Sequence, residues 1–89
     1  MKWTINIEEK AQKQIRKLDK NSQVLVLKYI YTKILKTQDP YILGKALTGK
    51  MKGLWRYRVN KYRIVCKIKN EQVNVSVISV AKRDVVYDD

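Results

Sequence analysis

The run Gly53-Leu54-Trp55-Arg56-Tyr57-Arg58-Val59-Asn60-Lys61-Tyr62-Arg63-Ile64-Val65 decides the fold. Bulky apolar residues alternate in it with basic ones, the period of a strand buried on one side only. The alternation changes phase across Asn60-Lys61. A two-residue turn there makes the run a β-hairpin. Asn tolerates the positive φ that a type I′ turn asks of its first central position, while Lys61 suits the second less well. With Val59 paired to Tyr62, Arg58 falls opposite Arg63 and Arg56 opposite Val65. Trp55, Tyr57, Val59, Tyr62, Ile64, Cys66 and Ile68 then share a core face, and Arg56, Arg58, Arg63 and Lys67 share the other. A one-residue slip would exchange the two faces.

Reading onward, Gln72 to Val80 is a further strand, joined to the strand Tyr62 to Lys69 through a short turn at Asn70-Glu71. Pairing Lys69 with Gln72 sets Arg63 beside Ile78 and Val65 beside Ser76. Val73, Val75 and Val77 join the core, and Asn74 and Ser76 the basic face. Reading back, Trp3, Ile5 and Ile7 alternate with Lys2, Thr4 and Asn6, a short strand over residues 2 to 7. From Glu8 the period becomes helical: Ile7, Ala11, Ile15 and Leu18 line one face. Glu8 and Glu9 in the first turn and Lys17 and Lys20 near the end suit the helix dipole. Asp19 to Ser22 is a tight loop in which Asn21 or Ser22 caps a second helix. That helix runs to about Lys36 on a stripe of Val24, Leu27, Ile30, Tyr31, Ile34 and Leu35, and the break before Pro40 ends it. Gly44 to Gly53 is a lysine-bearing connection anchored by Ala46 and Leu47. The order βααβββ predicts one α+β domain over 1–89, a helical hairpin packed on a twisted antiparallel sheet.

Twenty Lys and Arg against eight Asp and Glu leave a net charge of +12 on 89 residues. Such a balance points to nucleic acid or an acidic protein partner. An apolar share of 45% with three Gly and one Pro excludes a disordered basic tail. A membrane partner is not expected, since no apolar run approaches spanning length and no helix pairs a lysine face with a bulky aromatic one. Met1 to Asn6 lacks the apolar core of a secretory signal. The single cysteine, Cys66, excludes an internal disulfide and suits a reducing cytoplasm, the expected location. Cys66 lies in a strand pattern and reads as a small core residue rather than a nucleophile. The chain has no histidine, which removes His-based zinc sites and the usual general base. Neither metal nor cofactor is expected.

Arginines directly opposed across two strands repel by up to roughly 1 kcal/mol per pair. An anion seated between them offsets that cost, and a polyphosphate chain is the natural one. The plain alternative is a solvated, charged sheet face.

Taken in order, Glu9 to Leu18, Asp39-Pro40, Gly44-Lys45-Ala46-Leu47, Gly53 to Arg58, Tyr62 to Val65, Ser79-Val80-Ala81-Lys82-Arg83 and Val86-Tyr87 resemble the RelE/ParE toxin superfamily over nearly the whole chain. Members of the RelE branch are toxins of bacterial toxin-antitoxin pairs that cut messenger RNA in the ribosomal A site. Those of the ParE branch keep the fold and poison DNA gyrase. By resemblance, Arg56 and Arg58 match the paired basic sheet positions, Arg63 the arginine of the central strand, Arg83 the one after the last strand, and Tyr87 the tyrosine near the end.

The resemblance implies a metal-independent reaction in which a 2′-hydroxyl attacks the adjacent phosphorus. Arg63 and Arg83 would clamp the phosphorane and Arg56 and Arg58 would position the backbone. Proton transfer would fall to Tyr87, to Lys82 or to a lysine of the 45 to 52 loop, and Tyr87 could instead stack on a base. Lys45, Lys50, Lys52, Lys67 and Lys82 would bind RNA, and the helix lysines 16S ribosomal RNA. A basic toxin also implies an acidic, RelB-like antitoxin. Two rivals stand beside this reading: a gyrase poison without nuclease activity, and a non-catalytic nucleic-acid-binding module.

Overall fold

The computed structural model describes residues 3–82. Five strands and two helices follow in the order β1 (Thr4–Ile7), α1 (Glu9–Arg16), α2 (Lys20–Tyr29), β2 (Lys45–Ala46), β3 (Trp55–Val59), β4 (Tyr62–Lys69) and β5 (Asn74–Lys82). The strands form one sheet in the order β1-β5-β4-β3-β2. This is the expected α+β arrangement, with two refinements. The short β2 pairs with β3 at one edge, and β1 pairs with β5 in parallel at the other.

The hairpin register is as read: Val59 pairs with Tyr62, Arg58 with Arg63 and Arg56 with Val65. At the turn only Asn60 takes a positive φ, of 53°, so Lys61 is spared the left-handed conformation a type I′ turn would impose.

The β4–β5 register differs from the expected one. Residues 70 to 72 form a 3-10 turn and Val73 follows in the left-handed region at φ 48°. The loop is therefore four residues long, and Lys69 pairs with Asn74 instead of Gln72. A bulge then moves the register again. Cys66 pairs with Val77 and Val65 with Ser79, leaving Ile78 unpaired between them, and Arg63 lies opposite Ala81.

Helix α1 follows its sequence pattern, burying Ala11 and Ile15. Helix α2 begins earlier than expected because Asp19 is the cap: its carboxylate accepts from the Ser22 amide at 3.2 Å and from the Ser22 hydroxyl at 2.6 Å. Beyond Tyr29 the helix continues as a single π turn over Ile30–Ile34, closed by the Leu35 amide on the Ile30 carbonyl at 3.0 Å. The buried stripe is accordingly Val26, Ile30 and Ile34, while Val24 and Tyr31, both expected inside, are exposed. An extra residue in a turn shifts which side chains face the sheet.

The core lies between this hairpin of helices and one face of the sheet. Tyr57, Val59, Tyr62, Ile64, Cys66, Val75, Val77 and Val80 meet Ala11, Ile15, Val26, Ile30 and Ile34. Truncating a fully buried isoleucine such as Ile30 or Ile64 to alanine would cost about 2–5 kcal/mol, a large share of the stability of a domain this small. Among the described residues the helices pack against one face of the sheet.

Candidate nucleic-acid interface

The face away from the helices is built by strand alternation. Directly paired residues share a face, so the pairings define rows across the sheet. One row runs Arg58, Arg63, Ala81; the next runs Lys45, Arg56, Val65, Ser79; a third runs Lys67, Ser76, Asn6. Lys45, Arg58 and Lys67 are exposed, whereas Arg56 and Arg63 are partly buried. On the same face Val65 and Ser76 are fully buried and Ser79 is 6% exposed. None of the five strands carries an Asp or Glu, so the positive potential of this face meets no carboxylate from the sheet itself.

The strand that presents Arg56 and Arg58 is held from behind. Tyr57, between them in sequence and on the core face, donates its hydroxyl to the Pro40 carbonyl at 2.7 Å. Trp55 donates its indole N–H to the Tyr41 carbonyl at 3.2 Å and stacks edge-on against Tyr41, with centroids 4.9 Å apart. Gly44 lies so close to β3 that a Cβ there would run into the Arg56 carbonyl oxygen and approach Tyr57 Cδ1 at 2.9 Å. At the hairpin tip, Tyr62 donates to the Ser22 hydroxyl at 2.9 Å, tying β4 to the start of α2. These contacts fix the backbone under the arginines, so that little ordering remains to be done when an anion binds.

Two titratable groups of the core, Tyr57 and Cys66, are withdrawn from chemistry. Burial pushes the Tyr57 hydroxyl and the Cys66 thiol far above their ordinary values, so both stay protonated and Cys66 is not a nucleophile.

Of the expected site residues, Arg56, Arg58, Arg63, Lys45 and Lys67 are brought to this one face. Lys50 and Lys52 are exposed on the loop that joins β2 to β3, beside the 3-10 turn Gly49–Met51. Lys82 pairs with Tyr62 and so belongs to the helix side of the sheet, away from the arginines. Arg83 and Tyr87 lie outside the described residues. Missed by sequence reasoning was Ser79, whereas Val65 had been set opposite Arg56. The bulge that brings Ser79 to this face has no signature in the strand's alternation.

Comparison by sequence with curated proteins finds no match. Among solved structures, the chain is similar to the toxin-antitoxin complex RelBE2 of Mycobacterium tuberculosis, with a TM-score of 0.85 and 22% identity over 93% of this chain and all of that one. It is similar to the isolated RelE toxin of E. coli, with a TM-score of 0.71 and 27% identity over 94% of this chain and 87% of that one. The archaeal RelE-RelB complex of Pyrococcus horikoshii shares the fold at 16% identity and a TM-score of 0.67, over 97% of this chain and all of that one. A family model described as the ParE toxin of type II toxin-antitoxin systems matches residues 5–87. With its fold shared by RelE toxins and a family match over almost its full length, the chain belongs to the ParE toxin family, within the RelE/ParE superfamily of type II toxins.

Proposed function

We propose that this toxin is a ribosome-dependent endoribonuclease that cuts messenger RNA in the ribosomal A site. The observation that carries the reading is the opposed pair Arg58 and Arg63, with Arg56 beside them, on a sheet face whose strands bear no carboxylate. The likeness to the RelE toxin of E. coli, at 27% identity, supports the same branch.

In this reading an RNA strand lies across the open face, its phosphates between the arginines. A ribose 2′-hydroxyl attacks the adjacent phosphorus, and the products are a 2′,3′-cyclic phosphate and a free 5′-hydroxyl. Guanidinium binds phosphate oxygens through two parallel N–H bonds and stays charged throughout. Arg63, joined by Arg83, neutralises the extra charge of the pentacoordinate phosphorane. Arg56 and Arg58 hold the flanking backbone and favour the ionised 2′-oxygen. Proton transfer falls to Tyr87 or to a lysine of the 45 to 52 loop. Neighbouring guanidinium charge favours the ionised form of a tyrosine and so helps it accept a proton. A site without histidine is a weak base by itself. The ribosome completes it by holding the message in an attack-ready shape, and the helix lysines grip 16S ribosomal RNA. An acidic RelB-like antitoxin silences the toxin by covering the basic face.

Mapping message ends by primer extension after brief induction tests this reading. Cuts between the second and third bases of in-frame codons support it; growth arrest with intact messages refutes it. The second reading, a gyrase poison without nuclease activity, is favoured by the description of the matching family as ParE. It predicts a DNA-damage response with no cut message.

A further inference from the structure

The bulge in β5 decides which residue of the strand lies among the arginines. Below it, Cys66 pairs with Val77, and an unbroken ladder would set Val65 against Ile78. That register would turn Ile78 to the open face and Ser79 to the core. With Ile78 left over, Ser79 lies opposite Val65 on the open face, and Val80, paired with Ile64, enters the core at 2% exposure. Bulges re-aim side chains in this way and gather at functional sites.

The bulged end is held by a contact from outside the sheet. Strand β1 stops at Ile7, opposite Val77, so the amide of Val80 has no strand partner on that side. Gln14 of α1 accepts from it through Oε1 at 2.7 Å. Ser79 itself is 6% exposed, and among the described residues its hydroxyl makes no hydrogen bond. Its neighbour Ser76, by contrast, donates to Asn74 Oδ1 at 3.1 Å. A hydroxyl that keeps a foothold in solvent on a basic face, with no partner among the described residues, is free to bond a ligand seated there.

The chemistry of the face says which group that is. Arginine and lysine only donate hydrogen bonds, whereas a serine hydroxyl also accepts. Phosphate oxygens are served by the cations, but a ribose 2′-hydroxyl needs an acceptor, and in the row Lys45, Arg56, Val65, Ser79 the serine is the one side chain that has one. Ser79 is also a diagonal neighbour of Arg63 through the pair Arg63 and Ala81, a separation that long side chains span. We infer that Ser79, turned outward by the bulge and held there by Gln14, accepts a hydrogen bond from a ribose 2′-hydroxyl and makes this face prefer RNA to DNA. The inference rests on the nuclease reading for its substrate class and names a residue that selects within it.

The test is binding of the full chain, without ribosomes, to a short single-stranded RNA, to DNA of the same sequence, and to its 2′-O-methyl counterpart, measured by fluorescence anisotropy. The unaltered protein is expected to prefer RNA by roughly three- to tenfold over both others, the worth of one hydrogen bond. Ser79→Ala is expected to bind all three as wild type binds DNA. A retained preference in Ser79→Ala overturns the inference. So does equal binding of RNA and its methylated form by the unaltered protein, a comparison that needs no variant to fold. Gln14→Met is expected to reduce the preference without lowering DNA affinity, and Gln14→Glu, which keeps the acceptor, to preserve it; a full preference in Gln14→Met removes Gln14 from the account. A protein that prefers RNA yet leaves messages intact refutes the nuclease and spares this contact. One that cuts messages yet treats RNA and DNA strands alike does the reverse.

Discussion

Arg58 and Arg63 are set face to face by a turn of two residues, where like charges repel. Removing one should therefore separate stability from activity. Arg58→Ala is expected to hold or gain stability, by up to about 1 kcal/mol, while growth arrest is lost; urea denaturation and growth curves read the two sides. Tyr57 is the opposite case. Its hydroxyl serves a buried carbonyl at Pro40, so Tyr57→Phe strands that oxygen and should cost about 1 to 3 kcal/mol, visible as a lower urea midpoint with an unchanged slope. Cys66, sealed in the core with its thiol held protonated, should resist iodoacetamide at neutral pH until denaturant exposes it. The opposed arginines were legible in the sequence because a short turn fixes register by geometry alone. The Tyr57 partner was not, since it lies 17 positions away in a loop whose path no periodicity describes.

Elements were legible where local signals agree and illegible where a neighbour decides. Helix α1 and the β3–β4 hairpin follow their periods. The π turn after α2, the left-handed Val73 and the bulge at Ile78 do not, because each arises from fitting one element against another. Gly44 belongs with these. It reads as a loop glycine, yet it is the close approach of β2 to the Arg56 carbonyl that excludes a side chain. Gly44→Ala should push the edge ribbon off β3, visible as a lower urea midpoint. The cap of α2 gives a pH signature. The Ser22 hydroxyl and then the Ser22 amide bond the Asp19 carboxylate and hold it below its usual 3.8. A depressed acid contributes stability above its unfolded value and loses it as the pH falls through the folded one. The stability gap between wild type and Asp19→Ala should therefore be full at neutral pH and close below about pH 3.8.

At the scale of the molecule, charge and shape separate. The helices close one side of the sheet and the cations of the strands gather on the other. Six of the seven, Lys45, Arg56, Arg58, Arg63, Lys67 and Lys69, share the open face, and Lys82 alone lies on the helix side. If each neutralises one phosphate of a single strand, the logarithm of affinity should fall against that of salt with a slope of about −4. Arg58→Glu should flatten the slope. That the chain carries a large positive charge was readable from composition; that the sheet is mixed was not. Nothing in a four-residue strand tells which distant edge it joins. Thr4 and Asn74 lie 70 positions apart and are bonded side chain to side chain at 2.9 Å, and among the described residues β1 has β5 as its sheet neighbour. Synthesis delivers these two in order, so the opening strand must wait, unpaired, until β5 has been made. The β1 edge of the sheet is therefore the last to close, and folding of the toxin waits on a strand made long after the residues it will cover.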